Sequence, residues 1–186
     1  MTTTPDLGPS DLRRPSATAR LAPSFLKAIA QGIAGSPLWH GLAEPGPDGR
    51  SAVRIVRSDC YEVWVLGWWP GQSVELHDHG ESHAAFTVVD GDLVEVTAAA
   101  WGGFERLEVT SGSSRVVPAG TRHDVLNLTA APATSIHVYS PPLTAMTFYD
   151  PIDQRPVRAE AVQDRDAVWP DLAANRWLHP ARARHG

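Results

Sequence analysis

Cysteine is nearly absent: Cys60 stands alone among 186 residues, which excludes an internal disulfide framework and any cysteine-rich zinc site. No apolar run is long enough to cross a bilayer, and the opening stretch MTTTPDLGPSDLRRPSATAR lacks the apolar core of a signal peptide. Basic residues do not predominate: Lys and Arg number 16 against 21 Asp and Glu, a formal net charge of -5, so nothing in the charge balance points to nucleic acid. The expectation is a cytoplasmic protein, monomeric or weakly homo-oligomeric, with no nucleic-acid or membrane partner. No internal repeat is evident. What is present is an ordinary globular balance, 42% hydrophobic and 20% charged, enough for one domain with a real core. Eight histidines against one cysteine are the first mark of chemistry, because imidazole is the commonest ligand of open, reactive metal sites.

Residues 1–20, rich in Thr, Pro, Ser and Arg without periodicity, are expected to form a flexible lead-in. From Ser24 onward Phe25, Leu26, Ile29 and Ile33 recur at helical spacing, and Gly32 and Gly35 mark the end. Ser36-Pro37 opens a second short helix carrying Leu38, Trp39 and Leu42, and EPGPDGRS over 44–51 closes the helical part. Beyond it the runs VRIVRS, YEVWVLGWW, SVELHDH, AAFTVVDG, LVEVTAA, RLEVTS, SRVVPAG, HDVLNLT and TSIHVYS read as short strands between tight turns. The fold class is mostly β, an antiparallel barrel or sandwich with the short helices packed outside. Residues 21–150 form the expected domain. The polar stretch 151–186, weakly helical near 158–176, is expected to be a C-terminal extension.

His77-Asp78-His79 lies in a strand-like run, where a side-chain period of two points both imidazoles to one face. Two such rings form one edge of a metal polyhedron, and a third ligand must come from another strand. Gly71 precedes His77 by six positions, Gly91 follows His79 by twelve, and downstream come Gly112, Pro118, Gly120, His123 and Asn127. These spacings resemble the two motifs of the cupin superfamily, G-x5-H-x-H-x4-E-x6-G and G-x5-P-x-G-x2-H-x3-N. The resemblance implies a jelly-roll barrel and adds His123 to His77 and His79 as metal ligands. The second motif matches in full, and the first departs once: Ala84 stands where most cupins carry a metal-binding Glu. Three neutral His without that carboxylate leave the ion more electrophilic, with open positions for a two-toothed anionic substrate and O2. Glu75 and Glu81 stay open as fourth ligands, Glu75 sharing the histidine face if the strand is regular. Zinc also accepts three His and a water.

Ser135, His137 and Tyr139 alternate with Ile136 and Val138, so the polar three share one face. If the aliphatic pair packs beneath the outer helices, the polar row points into the barrel and must satisfy its own hydrogen bonds. The alternative is a half-exposed strand with its polar face in water. Trp64, Trp68 and Trp69 read as packing residues.

With both rows in hand, the blocks YEVWVLGWWPGQSVELHDHGESHAAFTVVDGDL, VPAGTRHDVLN and SIHVYSPPLTAMTFYD resemble the thiol dioxygenase branch of the cupins, the bacterial cysteine dioxygenases, over roughly residues 25–150. The resemblance implies mononuclear non-haem Fe(2+) on His77, His79 and His123, with Ser135, His137 and Tyr139 as the triad beside it. It implies oxidation of L-cysteine by O2 to cysteine sulfinic acid. It further implies an arginine that pairs with the substrate carboxylate through two parallel hydrogen bonds. Arg54 is the best match and Arg57 the alternative; alternation places the two on opposite faces. Mammalian members cross-link a cysteine to the active-site tyrosine. Here that position is Ala84, so no Cys–Tyr cross-link is expected. His83 is a candidate pocket residue or a surface one. Dioxygenation of another small thiol such as 3-mercaptopropionate or cysteamine, a non-catalytic metal-binding cupin, and a zinc or manganese isomerase are the alternatives.

Overall fold

The computed structural model describes residues 20–100 and 102–162. The expected lead-in, up to residue 19, and the part of the extension over 163–186 lie outside the described residues.

Helix α1 (Pro23–Ala34) starts with proline in its first turn, where a missing N–H costs nothing. Its apolar stripe is laid by the spacing of Leu26, Ile29, Ala30 and Ile33. Leu26 and Ala30 are buried against Val63, Ala85, Ile136 and Val138. The second expected helix shrinks to a 3-10 turn at Pro37–Trp39, with Ser36 Oγ accepting from the Leu38 N–H at 3.3 Å. Gly41, at φ +70°, turns the chain out of helical geometry before Leu42.

The strands are β1 (Ser51–Arg57), β2 (Glu62–Trp68), β3 (His77–Asp78), β4 (His83–Asp90), β5 (Asp92–Ala98), β6 (Phe104–Thr110), β7 (Ser114–Val117), β8 (His123–Leu126), β9 (Ala133–Ser140), β10 (Ala145–Tyr149) and β11 (Pro156–Ala161). They form a five-stranded sheet in the order β1-β2-β9-β4-β7 and a six-stranded sheet in the order β11-β10-β3-β8-β5-β6. Every pairing between these strands is antiparallel. This is the expected jelly roll. The main core, with Trp68, Phe86, Leu93 and Phe148 among its members, lies between the inner faces, and α1 covers the outer face of the five-stranded sheet. Among the described residues no helix is long and apolar enough to cross a membrane.

Two elements differ from the sequence reading. The run SVELHDH is not a regular strand: His77–Asp78 joins the ladder and Ser73 makes an isolated bridge to Leu126, with Glu75 at φ +76° interrupting the extended backbone between them. The stretch read as weakly helical near 158–176 instead begins inside a strand, β11 (Pro156–Ala161). Its register against β10 gives each of its residues from Arg158 to Ala161 a strand partner, and sheet pairing overrides the local tendency.

Gly67, in the fully buried strand β2, has no room for a side chain, since a Cβ there would lie 1.9 Å from the Ala43 carbonyl oxygen. Gly67→Ala is expected to destabilise the protein by about 1–3 kcal/mol through forced displacement of the 43–45 loop. Thermal or urea unfolding checks this, and an unchanged midpoint counts against the packing described.

Candidate metal centre

His77 on β3 and His123 on β8 are direct cross-strand partners, so their rings share the inner face of the six-stranded sheet. His79 follows just past β3. The three ring centroids are 4.8–5.0 Å apart, and one candidate ligand nitrogen from each residue lies within 4.8 Å of the others. All three side chains are buried.

Two of the rings are turned by their outer nitrogens. His77 Nδ1–H donates to the Glu75 carbonyl at 2.8 Å, and His123 Nδ1–H to Glu95 Oε1 at 2.9 Å. Both contacts leave Nε2 as a lone pair facing inward. His77 Nε2 sits 3.0 Å from His79 Nε2. Among the described residues His123 Nε2 and His79 Nδ1 have no hydrogen-bond partner although buried. Burial, and then the neighbouring imidazoles, hold His77 and His79 well below the ordinary imidazole range. They are therefore neutral at pH 7 and available as ligands. Converging, buried, partly unpartnered imidazoles fit a divalent cation.

Glu95, which the sequence alone did not single out, also belongs to the site. It is buried, and Arg115 Nε donates to its Oε2 at 2.6 Å. Burial alone would raise its pKa, but the His123 hydrogen bond and Arg115 outweigh that and keep the carboxyl below its usual range. A carboxylate fixed in this way holds His123 in one tautomer and raises its basicity toward a metal.

Ser135, His137 and Tyr139 lie on β9, the middle strand of its sheet and buried along its whole length, so the half-exposed alternative does not apply. Ile136 and Val138 pack beneath α1. Ser135 Oγ is 2.8 Å from His137 Nε2, and Tyr139 OH is 3.4 Å from His137 Nδ1. Trp68, read as packing alone, donates its indole N–H to Ser135 Oγ at 2.8 Å. Phe86 stacks on His137 with an interplanar angle of 8°. Burial lowers the His137 pKa well below the usual value and pushes the Tyr139 phenol up, so both are neutral.

A cavity joins the three histidines to Tyr139 and His137, with Trp64, Leu66, Val74, Val125 and Met146 as its apolar wall. Its arginine is Arg50, whose guanidinium lies 5.0 Å from the Trp68 ring centre. The expected clamp, Arg54, is not among the lining residues. A β-bulge between Arg54 and Val56 resets the alternation that was expected to oppose Arg54 and Arg57. Both instead reach the fully buried Glu62, at 3.6 Å and 2.6 Å from its Oε2. Arg54 also lies over Trp64 at 5.4 Å. The signal that could have found Arg50 is its parity with Ala52 and Arg54 on one inward face.

Neither open carboxylate joins the three histidines. Glu81 is exposed and 3.9 Å from Arg20, and the Glu75 side chain pairs with Arg158 at 2.7 Å. His83 is half-buried; its Nδ1 accepts the Ala119 N–H at 2.9 Å and steadies the turn before His123.

His123→Ala is expected to abolish stoichiometric retention of divalent metal, and undiminished metal content on elemental analysis contradicts its place as a ligand. Glu95→Gln should weaken metal affinity by about 10–100-fold. Competition with a chromogenic chelator reads this directly, and wild-type affinity would deny Glu95 its influence on His123.

Known proteins bear on this geometry in three ways. The family model for cysteine dioxygenase type I matches residues 34–152. Cysteine dioxygenase type 1 of Homo sapiens is 30% identical over 100 residues, covering 48% of this chain and 50% of the human protein, and that of Bos taurus is 29% identical over the same shares. The chain thus spans about half the length of the curated relatives it matches. Among solved structures, recombinant oxalate oxidase in complex with glycolate superposes with a TM-score of 0.50 at 17% identity, over 63% of this chain and 66% of the other, a likeness of cupin fold alone. Since the matched segment contains all three histidines, Ser135, His137 and Tyr139, the chain belongs to the cysteine dioxygenase type I family.

Proposed function

We propose that this chain is an iron-dependent thiol dioxygenase that converts L-cysteine and O2 to cysteine sulfinic acid. The observation that carries the reading is one cavity bounded by the imidazoles of His77, His79, His123 and His137, a phenol and a guanidinium. Ferrous iron bound by His77, His79 and His123 would supply the electron chemistry that lets O2 react with a thiolate sulfur. The overall change, R–SH + O2 giving R–SO2H, balances without an external reductant: sulfur gives up four electrons and gains both oxygen atoms.

The chain's own residues then have separable tasks. Arg50 is placed to take the substrate carboxylate through its planar fork and fix the thiol end toward the histidines. In the donor order that fits the contacts, Trp68 N–H and then Ser135 O–H point along the row to His137, whose Nδ1–H faces the Tyr139 oxygen. Tyr139 keeps its own proton, because burial pushes its pKa up, and can donate it as a hydrogen bond to a reacting oxygen atom. Ala84 is the cross-strand partner of Tyr139, and its methyl group offers no sulfur for a thioether, so Tyr139 would work unmodified. Trp64, Leu66 and Met146 keep water from the site.

One observation favours a second reading. No carboxylate lines the cavity, so nothing from the described residues pairs with a substrate ammonium, and 3-mercaptopropionate would fit the same arginine without needing one.

Oxygen uptake by the iron-loaded protein with cysteine, 3-mercaptopropionate and cysteamine distinguishes these. Cysteine is expected to give the highest kcat/KM and stoichiometric sulfinate. No uptake with any of the three thiols would end the dioxygenase reading. Arg50→Ala should lower kcat/KM for carboxylated thiols about 100-fold, ~3 kcal/mol of lost charged hydrogen bonding, with Arg54→Ala much milder. The reverse order would return the clamp to Arg54.

A further inference from the structure

Strand β11 lies beyond the residues that the family model matches, yet its contacts lead back to the metal centre. Register pairs Arg158 on β11 with Phe148 on β10, Phe148 with His77 on β3, and His77 with His123 on β8. Cross-strand partners share a face. A guanidinium, a phenyl ring and two imidazoles therefore form one row across four strands. The Arg158 guanidinium carbon is 3.8 Å from the Phe148 ring centre, and the Phe148 and His77 centroids are 5.8 Å apart.

A second path runs from the same arginine. Arg158 Nη1 donates to Glu75 Oε2 at 2.7 Å, and its Nε to Glu160 Oε1 at 2.7 Å. Glu75 is the residue at φ +76°, a conformation that a side chain with a Cβ adopts only when its surroundings impose it. The carbonyl of that same residue receives the Nδ1–H of His77. Holding the Glu75 side chain thus holds the carbonyl that turns the His77 ring. The Glu75 N–H is also held, by Ser73 Oγ at 3.2 Å, so the Arg158 pair is one of two anchors, and its loss leaves the carbonyl freer to swing away from His77.

We propose that Arg158 is a positioning residue for the metal ligand His77, acting through Glu75. The inference rests on the three-histidine centre but not on the identity of the thiol or of the native metal. It gives β11 a role beyond closing the sheet edge: the strand supplies an outer clamp for one ligand, as Glu95 and Arg115 do for another.

The test uses the full chain as wild type, Arg158→Ala, Glu75→Ala and the double variant. Cobalt(II) affinity and the visible cobalt absorption band are measured beside the melting temperature of the metal-free protein. Each single variant is expected to weaken cobalt binding about tenfold and to alter the band, with little change in metal-free melting. The double variant should bind no worse than the weaker-binding single one, since both act on one contact. Arg158→Lys, which keeps the charge without the planar fork, should recover part of the loss. Wild-type affinity and band in Arg158→Ala overturn the inference, as do fully additive losses in the double variant. So does a loss matched by an equal fall in metal-free stability. If Arg158→Ala does not fold, Glu75→Gln carries the same expectation and the same power to refute. Failure of the wild type to bind cobalt would instead overturn the three-histidine centre itself, and this inference with it.

Discussion

Three buried imidazoles with converging inner nitrogens cannot all satisfy one another: one contact joins His77 Nε2 to His79 Nε2 at 3.0 Å, while His123 Nε2 and His79 Nδ1 have no partner among the described residues. His77 gives its Nδ1 proton to the Glu75 carbonyl and His123 gives its own to Glu95. The inner nitrogens are left to converge at the mouth of the barrel. Buried polar nitrogens without partners are costly, and a divalent cation bound by the three rings would offset that cost. The rest of the site follows from this constraint: the open carboxylates point elsewhere, the walls are apolar, and the ligand rings are fixed from behind by hydrogen bonds.

The barrel makes such convergence possible because its two sheets contribute different parts. The six-stranded sheet carries His77 and His123 on neighbouring strands, with Glu95 and Arg158 on strands to either side. The five-stranded sheet carries the Ser135–His137–Tyr139 row on its middle strand, with Trp68 on the strand beside it. Where the inner faces meet, ligands from one sheet look across at hydrogen-bond donors from the other. His79 and Tyr139 come within 5.0 Å, centroid to centroid. The six-stranded sheet would thus hold the metal while the five-stranded sheet shapes the cavity, with Arg50 just ahead of β1 lining the remaining side.

Features set by short-range periodicity were legible in the sequence. His77 and His79 announced themselves through an alternation of two, and Ser135, His137 and Tyr139 did so again beside aliphatic Ile136 and Val138. An antiparallel barrel or sandwich followed from many short strands, and the jelly roll from the resemblance to cupins. What escaped detection depends on distant pairing. Arg54 looked like the clamp until a bulge and the buried Glu62 claimed both it and Arg57. Glu95 joins the site only through the register of β5 against β8, which sets it diagonally across from His123, whose direct partner is Thr97. Glu75 is open as a ligand if its strand is regular, but its backbone takes a positive φ and its carboxylate pairs with Arg158. Arg158 itself lay in a stretch with weak helical character that became a strand only by pairing with β10.

The central claim is that His77, His79 and His123 jointly hold one metal ion. Anomalous diffraction at the iron edge, from crystals of protein prepared with ferrous iron, tests it most directly. The account predicts a single peak about 2.0–2.2 Å from one nitrogen of each histidine, as for a first-row metal bound by imidazole. A strong peak elsewhere, or none at the three histidines in iron-replete protein, would contradict it.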